Sequence, residues 1–174
     1  APYYREGVAY ALERLHEAGN VYSYIDAGHA GWLGWDNNAQ GAAQEFHDVI
    51  TSNAYGYDAV TGFVSNTSNS TPTEEPFLED ENFTSGTFVR QSSFYEWNPN
   101  FDEHDWTATL HSLMVAQGAP DRLGMLIDTS RNGWGGPDRP TAESTSTDLD
   151  TYVDESRIDR RNHRGAWCNP SGQG

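Results

Sequence analysis

No lysine occurs anywhere in the 174 residues; all ten basic residues are arginines, set against 26 acidic ones for a formal net charge of −16. A surface this negative repels phosphate backbones, so a nucleic-acid partner is not expected. An anionic membrane surface is disfavoured for the same reason, whereas a neutral polymer such as a polysaccharide meets no such penalty. No apolar run approaches the roughly 20 residues of a membrane span, and no signal-peptide pattern opens the chain. A start at Ala1 instead of Met reads as a processed or truncated product. Cysteine is almost missing as well, with Cys168 the only one. It reads as a buried free thiol or as half of a disulfide with a partner outside this chain. A catalytic thiol would need a positive neighbourhood, which the sequence does not establish. There is no His/Cys cluster with metal-ligand spacing. Asp148, Asp150 and Asp154 are spaced like calcium ligands, but Tyr152 and Val153 stand where an EF-hand loop needs a ligand and a glycine. No metal or cofactor is expected.

What the chain has in quantity is aromatic side chains. They make up 13% of it, including six tryptophans, which points to a folded chain despite the acidity. The length fits one domain with a sizeable core, or part of a larger one. The strongest signal lies in residues 21–35. Val21, Tyr22, Tyr24 and Ile25 read as a buried strand, which puts Asp26 at its C-terminal end, where α/β folds place their chemistry. Asp26 could also be a helix N-cap. His29, Trp32 and Trp35 follow in a loop whose glycines, Gly28, Gly31 and Gly34, leave little local core for two indoles. Indoles exposed beside a carboxylate call for a flat ligand with apolar faces. A sugar ring fits; a nucleobase is the competitor, and the charge argues against it.

The rest alternates helix and strand, which implies a parallel sheet with crossover helices. Helices are predicted over residues 3–18, from an Asn38 cap through Ile50, and over 102–118. Further strands are predicted over 60–64 and over 123–127, the latter followed by Asp128. Residues 65–87 read as a polar loop. Residues 138–164 show no clear apolar period and read as a long loop, which in a compact domain is functional or disordered. Arg131 reads either as a surface ion pair of little consequence or as a clamp that orients a catalytic carboxylate.

Taken together, the motifs resemble glycoside hydrolase family 6 cellulases. The likeness rests on Asp26-Ala-Gly-His29-Ala-Gly-Trp32-Leu-Gly-Trp35, Asn66-Thr-Ser-Asn69 after a strand, and Asn98-Pro-Asn-Phe-Asp-Glu103 opening a helix. Asp128-Thr-Ser-Arg131-Asn-Gly and Ala166-Trp167-Cys168-Asn169-Pro170 follow in the same order. It is greatest to the family's bacterial exo-acting members, the actinobacterial exocellulases.

The resemblance implies a distorted parallel β/α barrel, seven-stranded and TIM-like, of which residues 1–174 are the middle part. It implies hydrolysis of β-1,4-glucosidic bonds with inversion, exo-acting and releasing cellobiose, by a secreted monomer that binds cellulose and cello-oligosaccharides. Inversion needs a carboxylic acid at the leaving oxygen and a carboxylate that activates water on the opposite face. The family's Glu-Pro-Asp acid and its base aspartate in a Lys-Pro-rich segment have no counterpart in this sequence, so these residues alone are expected to hydrolyse nothing. By resemblance, Asp26 supports the reaction, and His29 and Trp32 hold the glucose just past the scissile bond. Trp35 is a platform further along, Trp167 stacks on the other side of the bond, and Asn66 and Asn69 hydrogen-bond substrate. Arg131 pairs with the absent base, and Cys168 is half of a disulfide. The length of residues 138–164 favours an exo-acting enzyme with a covered cleft. An endo-acting cellulase of the same family and a non-catalytic sugar-binding fragment stand as alternatives.

Overall fold

A computed structural model describes residues 2–84, 86–131 and 133–166. Three short strands form a parallel sheet in the order β1 (Tyr24–Asp26), β2 (Gly62–Ser65), β5 (Gly124–Ile127). Tyr24 stands beside Gly62 and Asp26 beside Val64, and Gly62 to Ser65 run beside Gly124 to Ile127. Gly62 and Gly124 face each other so closely that a Cβ on Gly62 would fall inside the Gly124 backbone. The helices crossing between these strands are α1 (Pro2–Glu17), which precedes β1, α3 (Asp36–Ser52) and α4 (Glu103–Ala116). This is the expected parallel β/α arrangement; among the described residues the three strands form an open sheet.

Apolar side chains fix how the layers meet. Leu12 of α1, Ala39, Ala43 and Ile50 of α3, and Trp106, Leu110 and Met114 of α4 close over Val60, Phe63 and Leu123. Helix α4 is capped at its start: the Asp102 carboxylate accepts the Asp105 N–H at 2.9 Å. Helix α3 starts earlier than predicted, with Trp35 as its N-cap. Asn38, read as the cap, instead donates its Nδ2 to the Trp32 carbonyl at 2.9 Å. The first strand is also shorter than predicted. Val21, Tyr22 and Tyr24 are exposed and only Ile25 packs on the core, because β1 is an edge strand that pairs only with β2 among the described residues.

Two stretches read as loops hold structure. Residues 65–87 contain most of a hairpin, β3 (Asn82–Thr84) and β4 (Thr87–Phe88). Residues 138–164 contain α5 (Leu149–Ser156), whose N-cap Asp148 accepts the Thr151 N–H at 3.0 Å. The two meet in a second core, where Tyr152 and Val153 of α5 pack with Leu78, Val89, Tyr95 and Phe101. Phe83 and Tyr152 lie 4.7 Å apart, and Tyr95 stacks on Phe101 at 4.0 Å. The aspartates spaced like calcium ligands are used here as well. Asp150 accepts the Ser93 N–H at 2.7 Å, and Asp154 pairs with Arg157.

Candidate functional site

The loops that leave the carboxyl ends of β1 and β2 are tied together before they reach the surface. Ala27 donates its N–H to the Val64 carbonyl at 2.8 Å, and Asn66 donates to Gly28 at 2.9 Å. The buried Trp106 indole N–H reaches the Ala27 carbonyl at 3.1 Å. Asp26 is not a helix cap. One of its carboxylate oxygens accepts the Gly28 N–H at 2.7 Å, and the other accepts the Thr67 hydroxyl. The carboxylate therefore braces two neighbouring loops. After it, the chain makes one helical turn, α2 (Ala30–Leu33).

Above this junction lies a cleft of about 640 Å³, lined among others by His29, Trp32, Trp35, Asn69 and His163. His29 is only 6% exposed, and its Nδ1 has no hydrogen-bond partner among the described residues. Burial, and then the Arg164 and Arg161 guanidinium groups, push its pKa down to about 4. The imidazole is therefore neutral through the mildly acidic and neutral range, with its Nδ1 enclosed by protein. Trp32 is 67% exposed. Trp35 is half-buried, its indole N–H donating to the Glu96 carbonyl at 2.8 Å. Asn69 turns its Oδ1 to the Ser70 N–H at 2.9 Å, which leaves its amide N–H groups available.

Other predicted residues lie elsewhere. Asn66 is buried with both amide functions spent inside its own loop, Nδ2 donating to the Thr71 carbonyl at 2.8 Å and Oδ1 accepting the Thr71 N–H at 3.0 Å. Its geometry suits holding the loop, at a left-handed φ of 67°, more than bonding a ligand. Arg131 donates to the backbone carbonyls of Ser68 and Asn66, fastening the β2 loop to the β5 loop. Trp167 and Cys168 lie outside the described residues. Among the described residues no group of three or more His, Cys, Asp or Glu is placed to hold a metal ion, and no helix is long and apolar enough to cross a membrane.

Sequence reasoning missed the buried charges behind the cleft. Glu103 is fully buried; its Oε1 accepts the Ala30 N–H at 2.7 Å and also the Thr71 hydroxyl. It thus holds the residue after His29 to the loop that carries Asn69, and burial raises its pKa. Glu75 accepts the backbone N–H groups of Ile158 and Asp159 at 2.7 and 3.1 Å, and burial pushes its pKa up to about 8. Asp159 pairs with the buried Arg161 at 2.7 Å, and that guanidinium lies 4.7 Å over the buried Trp134 ring. Arg164 donates to the Asn100 and Phe101 carbonyls at 2.9 and 3.0 Å. The available signal was four arginines within residues 157–164 of a lysine-free chain.

Comparison with known proteins matches residues 1–174 to the model of glycosyl hydrolases family 6. Exoglucanase A of Cellulomonas fimi is 58% identical over 175 aligned residues, covering all of this chain and 20% of that protein. A Podospora anserina 1,4-beta-D-glucan cellobiohydrolase, CEL6B, is 33% identical over 74% of this chain and 27% of its own length. The solved catalytic domain of Cellulomonas fimi Cel6B superimposes with a TM-score of 0.93 at 58% identity, covering 99% of this chain and 39% of that one. Cellobiohydrolase II (Cel6A) of Humicola insolens, solved with glucose and cellotetraose, gives 0.67 at 28% identity over 99% of this chain and 37% of that one. The chain thus spans about a fifth to two fifths of these relatives, and its open sheet is a portion of their β/α fold.

Proposed function

Since the chain belongs to glycosyl hydrolase family 6, we propose that it is the central, sugar-binding portion of a secreted catalytic domain that hydrolyses β-1,4-glucosidic bonds of cellulose with inversion. The observation that carries this reading is the pairing, in one cleft at the carboxyl ends of parallel strands, of a neutral cleft-lining His29 with an exposed Trp32 indole. Stacking a pyranose ring on Trp32 buries its C–H face, while His29 and the free amide of Asn69 meet its hydroxyls. A neutral imidazole suits a neutral substrate, because no charge has to be desolvated when the sugar enters.

In this reading Asp26 is a supporting group. Both of its oxygens are occupied by loop donors, so it holds the sugar-facing loops in register. Proton donation to the leaving oxygen and activation of water belong to carboxyl groups outside these 174 residues, as inversion needs two such groups on opposite faces. Arg131, anchored through two carbonyls, offers the rest of its guanidinium to the base. Attack from cellulose chain ends is supported by residues 157–165, which fold back as a wall of the cleft through His163 and Gly165.

The test is the anomeric form of the first product that the intact protein releases from cellotetraose, followed by proton NMR. Inversion yields α-cellobiose first. A β-anomer released first would refute inversion, and no release of sugar would refute the hydrolase reading.

A further inference from the structure

Trp97 is an indole to which the cleft assigns no role. It is 61% exposed, and it sits in a turn bound to the cleft wall at three places. Asn98 Nδ2 donates to the Ala30 carbonyl at 2.9 Å, Asn100 Nδ2 to the Gly34 carbonyl at 2.5 Å, and the Trp35 indole N–H to the Glu96 carbonyl at 2.8 Å. A Cβ on Gly34 would collide with the Asn98 amide, so the two segments touch without a gap. The Glu96 carbonyl that receives the Trp35 N–H is bonded directly to the Trp97 nitrogen. One hydrogen bond and one peptide unit therefore separate the Trp35 ring from the backbone that carries the next indole.

The backbone there is held against its preference. Glu96 and Trp97 are consecutive non-glycine residues at φ 49° and 70°, a region bulky side chains avoid and that persists only where the surroundings impose it. The result is an indole turned outward beside an already aromatic cleft. The residue before it is also tied to the cleft, since His163, a cleft-lining residue, has its Nε2 3.8 Å from the Glu96 carboxylate. A lone exposed aromatic side chain is ordinary; one locked to a binding wall by three hydrogen bonds and a strained turn is a built feature.

We propose that Trp97 is an outer stacking platform for a β-1,4-linked glucan chain, beyond Trp35, with Glu96 and His163 flanking it as hydrogen-bonding groups. This rests on the reading of the cleft as a glucan site. It serves only substrates long enough to reach past Trp35, so it acts on the preference for chain length.

Initial rates of the intact protein on cellotetraose and cellohexaose provide the test. Trp97→Ala is expected to lower the ratio of kcat/KM for cellohexaose to that for cellotetraose by about 3- to 10-fold, the loss of one stacking contact. Trp97→Phe should restore most of it. Hydroxyl-radical footprinting of the wild-type protein reads the same site without a variant, and cellohexaose should protect Trp97 where cellobiose does not. An unchanged ratio, equal loss on both substrates, or a lower thermal midpoint with an unchanged ratio overturns the platform, the last by showing that the indole packs inside the intact protein. If the wild type neither cleaves nor is protected by any cello-oligosaccharide, the glucan reading falls and the platform with it.

Discussion

Glu103 offers the sharpest test of how the cleft is held. Its carboxyl group, fully buried at the start of α4, is the acceptor for the Ala30 N–H and the Thr71 hydroxyl, both on residues with no exposed surface. Glu103→Ala strands both donors, each at about 1–3 kcal/mol, and opens a small cavity. Allowing for non-additivity between neighbours, the intact protein should lose about 3–5 kcal/mol. Glu103→Gln keeps an acceptor oxygen at the same place and should cost only about 1 kcal/mol. The pH dependence has a definite sign. Burial raises the Glu103 pKa above its ordinary 4.5, so the folded protein binds this proton more tightly than the unfolded chain does. Its contribution is fully present below the unfolded pKa and is lost as pH rises through the folded one. The cost of Glu103→Gln should therefore shrink, or reverse, as pH rises. Urea unfolding midpoints of the wild type and both variants, measured across that range, decide the matter. A Glu103→Ala cost below about 1 kcal/mol, or a Gln variant as damaged as the Ala variant at every pH, would refute the reasoning. Because the two donors flank His29 and Asn69, Glu103→Ala should also raise KM for cello-oligosaccharides.

The neutral His29 makes an opposite prediction on the acid side. With a folded pKa of about 4 against an ordinary 6.5, the unfolded chain takes up the proton first, so stability should fall by up to about 3 kcal/mol on acidification through that window. Denaturation of His29→Gln at graded pH should lack this limb; an identical acid slope in both proteins would exclude it. Gly62→Ala forces a Cβ into the Gly124 backbone and should cost about 3 kcal/mol or more, measured by chemical denaturation. A near-native midpoint would mean that β2 and β5 do not approach so closely. Arg161→Lys keeps the charge but loses the planar fork on Asp159 and the contact over Trp134, for an expected loss of about 1–3 kcal/mol. An unaltered unfolding midpoint would show that the buried pair holds nothing.

Local chemistry made part of this legible in the sequence. The helix predicted over 102–118 is α4, whose apolar Trp106, Leu110 and Met114 recur at helical spacing and are the side chains it buries. Gly28 to Trp35 stood out because two indoles among glycines have no local core to enter. What stayed hidden depends on residues far apart. Leu149, Tyr152 and Val153 gave too short a pattern for a helix, and they became one because Leu78, Val89 and Tyr95 offer an apolar surface to cover. The start of β1 was misread because Val21 and Tyr22 have strand character but no neighbour to pair with among the described residues. Glu75, Glu103, Asp159, Arg161 and Arg164 look like ordinary surface charges until the partners that bury them are known. Some of those partners are backbone groups, which no pattern of side chains reveals.

The grip of Glu75 on the Ile158 and Asp159 amides spans 83 residues of chain. During synthesis at about 5–20 residues per second, the carboxylate therefore waits about 4–17 seconds for its partners to be made. Until they arrive it must stay in water, and the layer formed by Leu78, Tyr95 and Phe101 still lacks the Tyr152 and Val153 side chains that complete it. The α1–β1–α3 unit, whose contacts are local, can form while this layer is still waiting. The wall that brings His163 to the cleft is thus completed only after α1, β1 and α3 have been made, and misplacing it would leave a folded sheet with a cleft that lacks one side.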